Sequence, residues 1–205
     1  MTVINQVADR AMRALVAARM RRRARYPAAT AVLVVAPQQD LLTGAAPNLA
    51  QLLIMSRAAH LTVIYAPMAR PAVDWAVQTP SQRTISDHDS IRAGSPGATI
   101  HPHLRPAPDD TVLTPFAGLS AFTNTALSET LATAHLDHVI IAGCRTDIEV
   151  DSTARDATEA GLHTTVVSDC CVGSSPQGHR ATVTTTLPRL IHAVLTLDDL
   201  AGLLP

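Results

Sequence analysis

Apolar residues in this chain come in short unbroken runs rather than in strict alternation with polar ones. AVLVVA at 31–36, LTVIYA at 61–66, TVLT at 111–114, HVIIAG at 138–143, HTTVVSD at 163–169 and HAVLTL at 192–197 are of strand length. A run with no polar face predicts a strand covered on both sides. Between most of them apolar residues recur at helical spacing: PNLAQLLIMSRAA with Pro47 near its start, TNTALSETLATA, DIEVDSTARDATEAG with Gly161 placed to cap its end, and PQGHRATVTTTL. Strand and helix alternate, which predicts an α/β, three-layer, Rossmann-like fold: a parallel sheet of about six strands with helices on both faces. Ligands of such sheets bind beyond the carboxyl ends of the strands, here APQQD, PFAGLSAF and GCRTDIE.

Two segments depart from the alternation. Residues 67–110 are rich in Pro and Asp, and a crossing of that length reads as a lid or lining, with Trp75, Gln82 and Arg92 within it. Near the start, Ile4, Val7, Met12 and Leu15 recur around a polar face, which predicts an amphipathic helix. The organisation expected is an N-terminal helical extension over 1–26 and one domain over 30–205, for which 205 residues at 47% hydrophobic content suffice.

Charge sharpens this division. Residues 1–25 hold seven basic residues and one acid, Asp9, a net +6, whereas the remainder holds nine basic and 16 acidic residues, a net −7. The extension is therefore expected to pack on an acidic surface of the domain or of a neighbouring subunit. RRRAR at 21–25 is too short, and too poor in interleaved aromatics, to predict nucleic-acid binding. No apolar run approaches the ~18 residues of a membrane span, and Asp9 and Arg10 interrupt any signal-like stretch. Three cysteines without CxxC spacing, Cys144, Cys170 and Cys171, read as core thiols of a reducing, cytoplasmic compartment.

AVLVVAPQQDLLTG, GSPGATIHPHLRPAPDDTVL, LSAFTNTALSETL and IIAGCRTDIEVDSTARDATEAGLHTTVVSD, in this order over about residues 30 to 203, resemble the isochorismatase-like hydrolase family, which also contains nicotinamidases and carbamoylases. Its blocks are D-x-Q-N-D-F, S-A-F-x-x-T-x-L and G-x-x-T-x-x-C-V-x-x-T-A-x-D-A-x-x-x-G. The resemblance implies a triad: an Asp general base after the first strand, a Lys after the third, and a Cys nucleophile opening the helix after the fourth. Carried onto this chain, the Asp falls on Ala36, the Lys on Phe116 (or Pro115) and the Cys on Glu149. The chain has no lysine at all, and Cys144 stands five residues before Glu149, where the family usually has Val. The branch that hydrolyses isochorismate-type vinyl ethers lacks the Cys but relies on the Asp, and Ala36 cannot donate a proton. The family also implies a homo-oligomer. Its nicotinamidases carry a metal, but their D-x-H motif lies earlier in the chain than His101 and His103, which read as a loop, so no metal or other cofactor is expected. His179 resembles a His often found before the last helix, behind the site or at a subunit contact.

Glu149 and Arg145 are the candidate catalytic pair, and Ala36, Gln38, Asp40 and Phe116 the candidate substrate-lining residues. Burial beside apolar groups raises a carboxyl pKa, while a helix amino terminus and Arg145 lower it, a tension under which a carboxyl works near neutral pH. Alternatively Glu149 caps its own helix or pairs with Arg145 as a plug. Arg145 is placed to bind a ligand carboxylate bidentately, and Asp40 matches a usually structural acid of the first turn. The function expected is an enzyme acting on a small acidic or carbonyl-bearing metabolite by non-covalent acid–base chemistry at Glu149, through hydrolysis, elimination or ring closure. The alternative is an inactive family member that binds a ligand or partner.

Overall fold

The computed structural model describes residues 26, 28–42, 44–69 and 91–204; the helix expected over 1–25, together with Trp75 and Gln82, lies outside them. Six strands form one parallel sheet: β1 Thr30–Val35, β2 Thr62–Ala66, β3 Thr111–Val112, β4 His138–Cys144, β5 His163–Val172 and β6 Ala193–Leu195. Their spatial order is β3-β2-β1-β4-β5-β6. Among the described residues five α-helices surround it: α1 Ala46–Ala58, α2 Leu127–Thr133, α3 Asp151–Glu159, α4 Pro176–Ala181 and α5 Leu197–Ala201. This is the expected α/β architecture. Its physical basis is plain in β1, where all six residues are buried, and in β4, where all but His138 are. Each Val, Leu or Ile so enclosed contributes roughly 1.5–3 kcal/mol.

The chain runs outward from β1 through β2 to β3, then returns to lay β4 on the other side of β1. The sheet therefore has its switch point between β1 and β4, where a crevice opens at the carboxyl ends. Gly143 sits at that point, paired with Val35 and at φ +130°. The β4–β5 register also shifts between Ile141 and Gly143.

Several elements differ in extent from the sequence pattern. β3 spans two residues rather than four and is half exposed at the sheet edge. α2 begins at Leu127 because Thr125 Oγ1 donates to the Ala121 carbonyl and accepts from Leu127 N–H, an alternative to the helical ladder. The helix expected from 147 divides into a π-helical turn, Thr146–Val150, and α3. α3 ends with Gly161 at φ +86°, its N–H bonded to Thr158 O and that of Leu162 to Ala157 O, the Schellman pattern. After α4 the chain widens over Thr182–Thr186 and tightens over Leu187–Arg189, where Thr184 bonds back to Arg180 O and Pro188 lacks an N–H. α5 falls partly inside the strand expected at 192–197. Thr196 and Asp199 form a capping box, which stops the strand at Leu195 and starts a helix.

Candidate functional site

Three strand ends meet at the crevice. At the end of β1, Ala36 turns the chain at φ +47° while its N–H stays on Ala66 O at 2.9 Å. That region is unusual for Ala and cheaper for Asp or Asn. Gln38 follows, fully buried and bridged to Ile100; its Nε2 donates to Met68 O at 2.9 Å, while Oε1 has no partner among the described residues. Beyond β2 and β3, Met68 and Phe116 pair backbone to backbone, with Ala69 N–H on Phe116 O and Phe116 N–H on Pro67 O. At the end of β4, the Cys144–Arg145 peptide is cis and leads into the π-helical turn that carries Glu149.

Glu149 is 0% exposed, and Arg145 is 8% exposed. Glu149 Oε2 accepts from the Arg145 backbone N–H and from Nε, each at 3.0 Å, and Glu149 Oε1 contacts Arg145 Nη2. Both carboxylate oxygens are thus engaged by one residue four positions back, in the bidentate fork geometry that suits guanidinium and carboxylate. Burial would draw the Arg145 pKa down, but the Glu149 carboxylate beside it outweighs burial and raises it. Ala36, Gln38 and Phe116 are closed to solvent, whereas Asp40 is exposed on the turn.

Of the residues singled out from sequence, Ala36, Gln38, Phe116, Arg145 and Glu149 all lie at or just beyond neighbouring strand ends, and Asp40 stands outward. Arg92 is exposed in the long crossing. His101 caps a short turn, Pro102–Leu104, by accepting from His103 N–H through Nδ1 at 3.2 Å. Among the described residues, no group of three or more His, Cys, Asp or Glu has the geometry to hold a metal, and no helix is long and apolar enough to cross a membrane. Burial pushes the thiols of Cys144, Cys170 and Cys171 up, the last to about 12.

Of the layer behind this turn, sequence reasoning named His179 through the resemblance and missed Asp147, Ser174 and Thr146. Asp147 accepts from Ser174 N–H at 2.7 Å and from the Ser174 hydroxyl. Burial alone would raise its pKa, but those bonds hold it below the usual range. Thr146 Oγ1 lies 2.8 Å from His179 Nδ1. Packing here is so close that a side chain at Gly178 would meet Asp147 across the contact, and one at Gly173 would meet His179 within its own turn. The SSPQGH helix start and the resemblance at His179 were the hints available, and a separation of about 30 residues carries no local signal.

Burial depresses the His179 pKa, with Asp147 opposing. The folded state then binds this proton less tightly than the unfolded chain. Its contribution to stability is full above about pH 6.5 and declines as pH falls through that value. Between pH 7.5 and 5 the melting temperature of the wild type should therefore fall further than that of His179→Gln. Equal slopes would contradict the assignment.

An isochorismatase domain model matches residues 30–198, and the chain belongs to the isochorismatase family. The uncharacterized isochorismatase family protein YecD of Escherichia coli O157:H7 is 26% identical over 168 residues, spanning 78% of this chain and 89% of its own. An isochorismatase family protein from Desulfovibrio vulgaris superposes with a TM-score of 0.74 at 25% identity, over 84% of this chain and 96% of its own. The N-carbamoylsarcosine amidase from Thermoplasma acidophilum superposes with a TM-score of 0.66 at 25% identity, over 82% and 96%.

Proposed function

We propose that this chain is a member of the isochorismatase family in which the hydrolytic centre has been rebuilt as a structural ion pair, and that it works by binding a small molecule rather than by hydrolysing one. The observation that carries this reading is the state of Glu149: fully buried, with both oxygens on Arg145. A general acid or base needs a lone pair or proton within reach of the substrate. Here the carboxylate has neither access nor an idle oxygen. Closed-off Ala36 and Phe116 point the same way, since neither side chain can move a proton or hold a developing negative charge.

The expected consequence is an absence of cysteine-type amide hydrolysis. N-carbamoylsarcosine and simple amides incubated with the protein should yield no product above buffer. Iodoacetamide at pH 8 should leave the native thiols unmodified, because a thiol with a pKa near 12 is only ~1 part in 10⁴ thiolate there. Turnover abolished by alkylation, and protected by substrate, would overturn the reading.

The acid–base reading of Glu149 requires Arg145 to swing away, for instance onto a ligand carboxylate. Glu149→Gln separates the two readings. If Glu149 is an acid or base, turnover of the substrate falls by roughly 100-fold or more while the fold survives; if it is a plug, stability falls and binding does not. The same proposal keeps the 1–26 extension apart from the domain starting at 30 and makes the protein a cytoplasmic homo-oligomer. Light scattering before and after deletion of residues 1–25 reads the assembly.

A further inference from the structure

Beside the closed centre, the carboxyl end of β5, the Gly44–Ala45 turn and α4 enclose an open cleft of about 720 Å³. That is the size of sites that hold small metabolites. Two formal charges of opposite sign stand in its wall, Asp169 on β5 and Arg180 on α4. They do not pair with each other, and among the described residues neither has another charged partner. Asp169 engages one oxygen, Oδ1, with Leu197 N–H at 2.8 Å, which fixes the carboxylate and leaves Oδ2 without a hydrogen bond among the described residues.

The polar groups around them sort by role. Ser168 Oγ donates to Leu195 O and Thr184 Oγ1 to Arg180 O, so both hydroxyl protons are committed; Thr184 Oγ1 also takes a contact from Thr185 Oγ1 at 3.4 Å, and the other lone pairs remain. Those acceptors, with Asp169, suit a cation. Arg180 offers the opposite. Its guanidinium is a fork of donors matched to a carboxylate, and among the described residues it donates to no protein acceptor. His179 stands next to it in the wall, its Nδ1 engaged by Thr146 and its Nε2 unpartnered among the described residues.

We propose that this cleft binds a small aminocarboxylate, with its ammonium toward Asp169 and the hydroxyl lone pairs and its carboxylate toward Arg180. The site shares no residue with the set Ala36, Gln38, Phe116, Arg145 and Glu149. It adjoins their turn through Thr146 on His179, Asp147 on Ser174 and Cys144 Sγ on Val172 O. The inference rests on the binding role proposed above, but the two fail separately: an empty cleft leaves the Arg145–Glu149 pair as it is, and a catalytic Glu149 leaves the cleft's charges in place.

The test is an amide-shift titration of the full-length ¹⁵N-labelled protein with glycine, 4-aminobutyrate and 6-aminohexanoate, with acetate and methylammonium as single-charge controls. Saturable shifts confined to residues 44–45, 168–175 and 179–184 are expected with at least one aminocarboxylate, at a Kd on the order of 1 mM for molecules this small. Acetate and methylammonium should bind at least about tenfold more weakly, because each engages one charge only. Arg180→Gln and Asp169→Asn should each weaken the best aminocarboxylate by about tenfold without moving the melting temperature; the amide introduced by Asp169→Asn retains the oxygen that Leu197 N–H needs. The proposal is overturned by no saturation up to about 50 mM of any aminocarboxylate, by equal affinity for acetate, or by variants that bind like the wild type.

Discussion

Replacing Gly143 by alanine is expected to remove at least about 4 kcal/mol of stability, a loss that few single substitutions reach. The methyl group would overlap the Val35 carbonyl oxygen and lie 2.9 Å from the Val35 N and C. These are backbone atoms of β1, paired in register with β4 at the centre of the sheet, and they cannot move aside as the tip of a side chain would. A second cost is added because φ +130° is a conformation that residues with a Cβ avoid. Gly161→Ala is the control. It sits at φ +86° with no atom within 4 Å of its would-be Cβ, so only backbone strain applies, roughly 1 kcal/mol. Guanidinium midpoints, or soluble yield where the variant does not fold, should rank the two widely apart. Equal losses would mean that crowding at the switch point is not the cause.

Arg145→Met should cost about 3–5 kcal/mol, because it leaves a fully buried carboxylate with only a backbone N–H for company. Met replaces most of the aliphatic stem, so little of that loss is packing. The comparison is built into the next helix. Arg155 and Asp151 have the same spacing of four and the same kind of contact, but their side chains are 44% and 17% exposed. Arg155→Met should therefore cost under about 0.5 kcal/mol. Urea unfolding of both variants reads the difference. Similar small losses would show that the Glu149 carboxylate reaches water.

Legibility in the sequence followed the range of the interaction. β1 and β4 were plain because a strand buried on both faces needs apolar residues throughout, and the parallel sheet followed from the alternation with helices. The Arg145–Glu149 spacing was readable as a pair because four residues along a turn is a local fact. Its burial was expected from the resemblance alone; the elements that supply it, β5, α4 and the Thr182–Thr186 turn packed on the π-helical turn, come from later in the chain and leave no mark in that spacing. α5 was missed although Thr196 and Asp199 spell a capping box, because the preceding apolar run drew the boundary too far. The demand for glycine at 143 depends on Val35, more than 100 residues away. The cleft depends on charges at 169 and 180 brought onto one wall by β5 and α4, and nothing in their spacing announces it.

The most direct test of the structural ion pair is a double-mutant cycle over Arg145→Met and Glu149→Leu, read as unfolding free energy in urea. If the pair is a plug, each single variant loses about 3 kcal/mol or more, while the double variant, with two apolar side chains in place of two charges, loses less than either. The coupling should then exceed about 2 kcal/mol. Losses that add to within about 0.5 kcal/mol would contradict the account, and so would a Glu149→Leu protein as stable as the wild type.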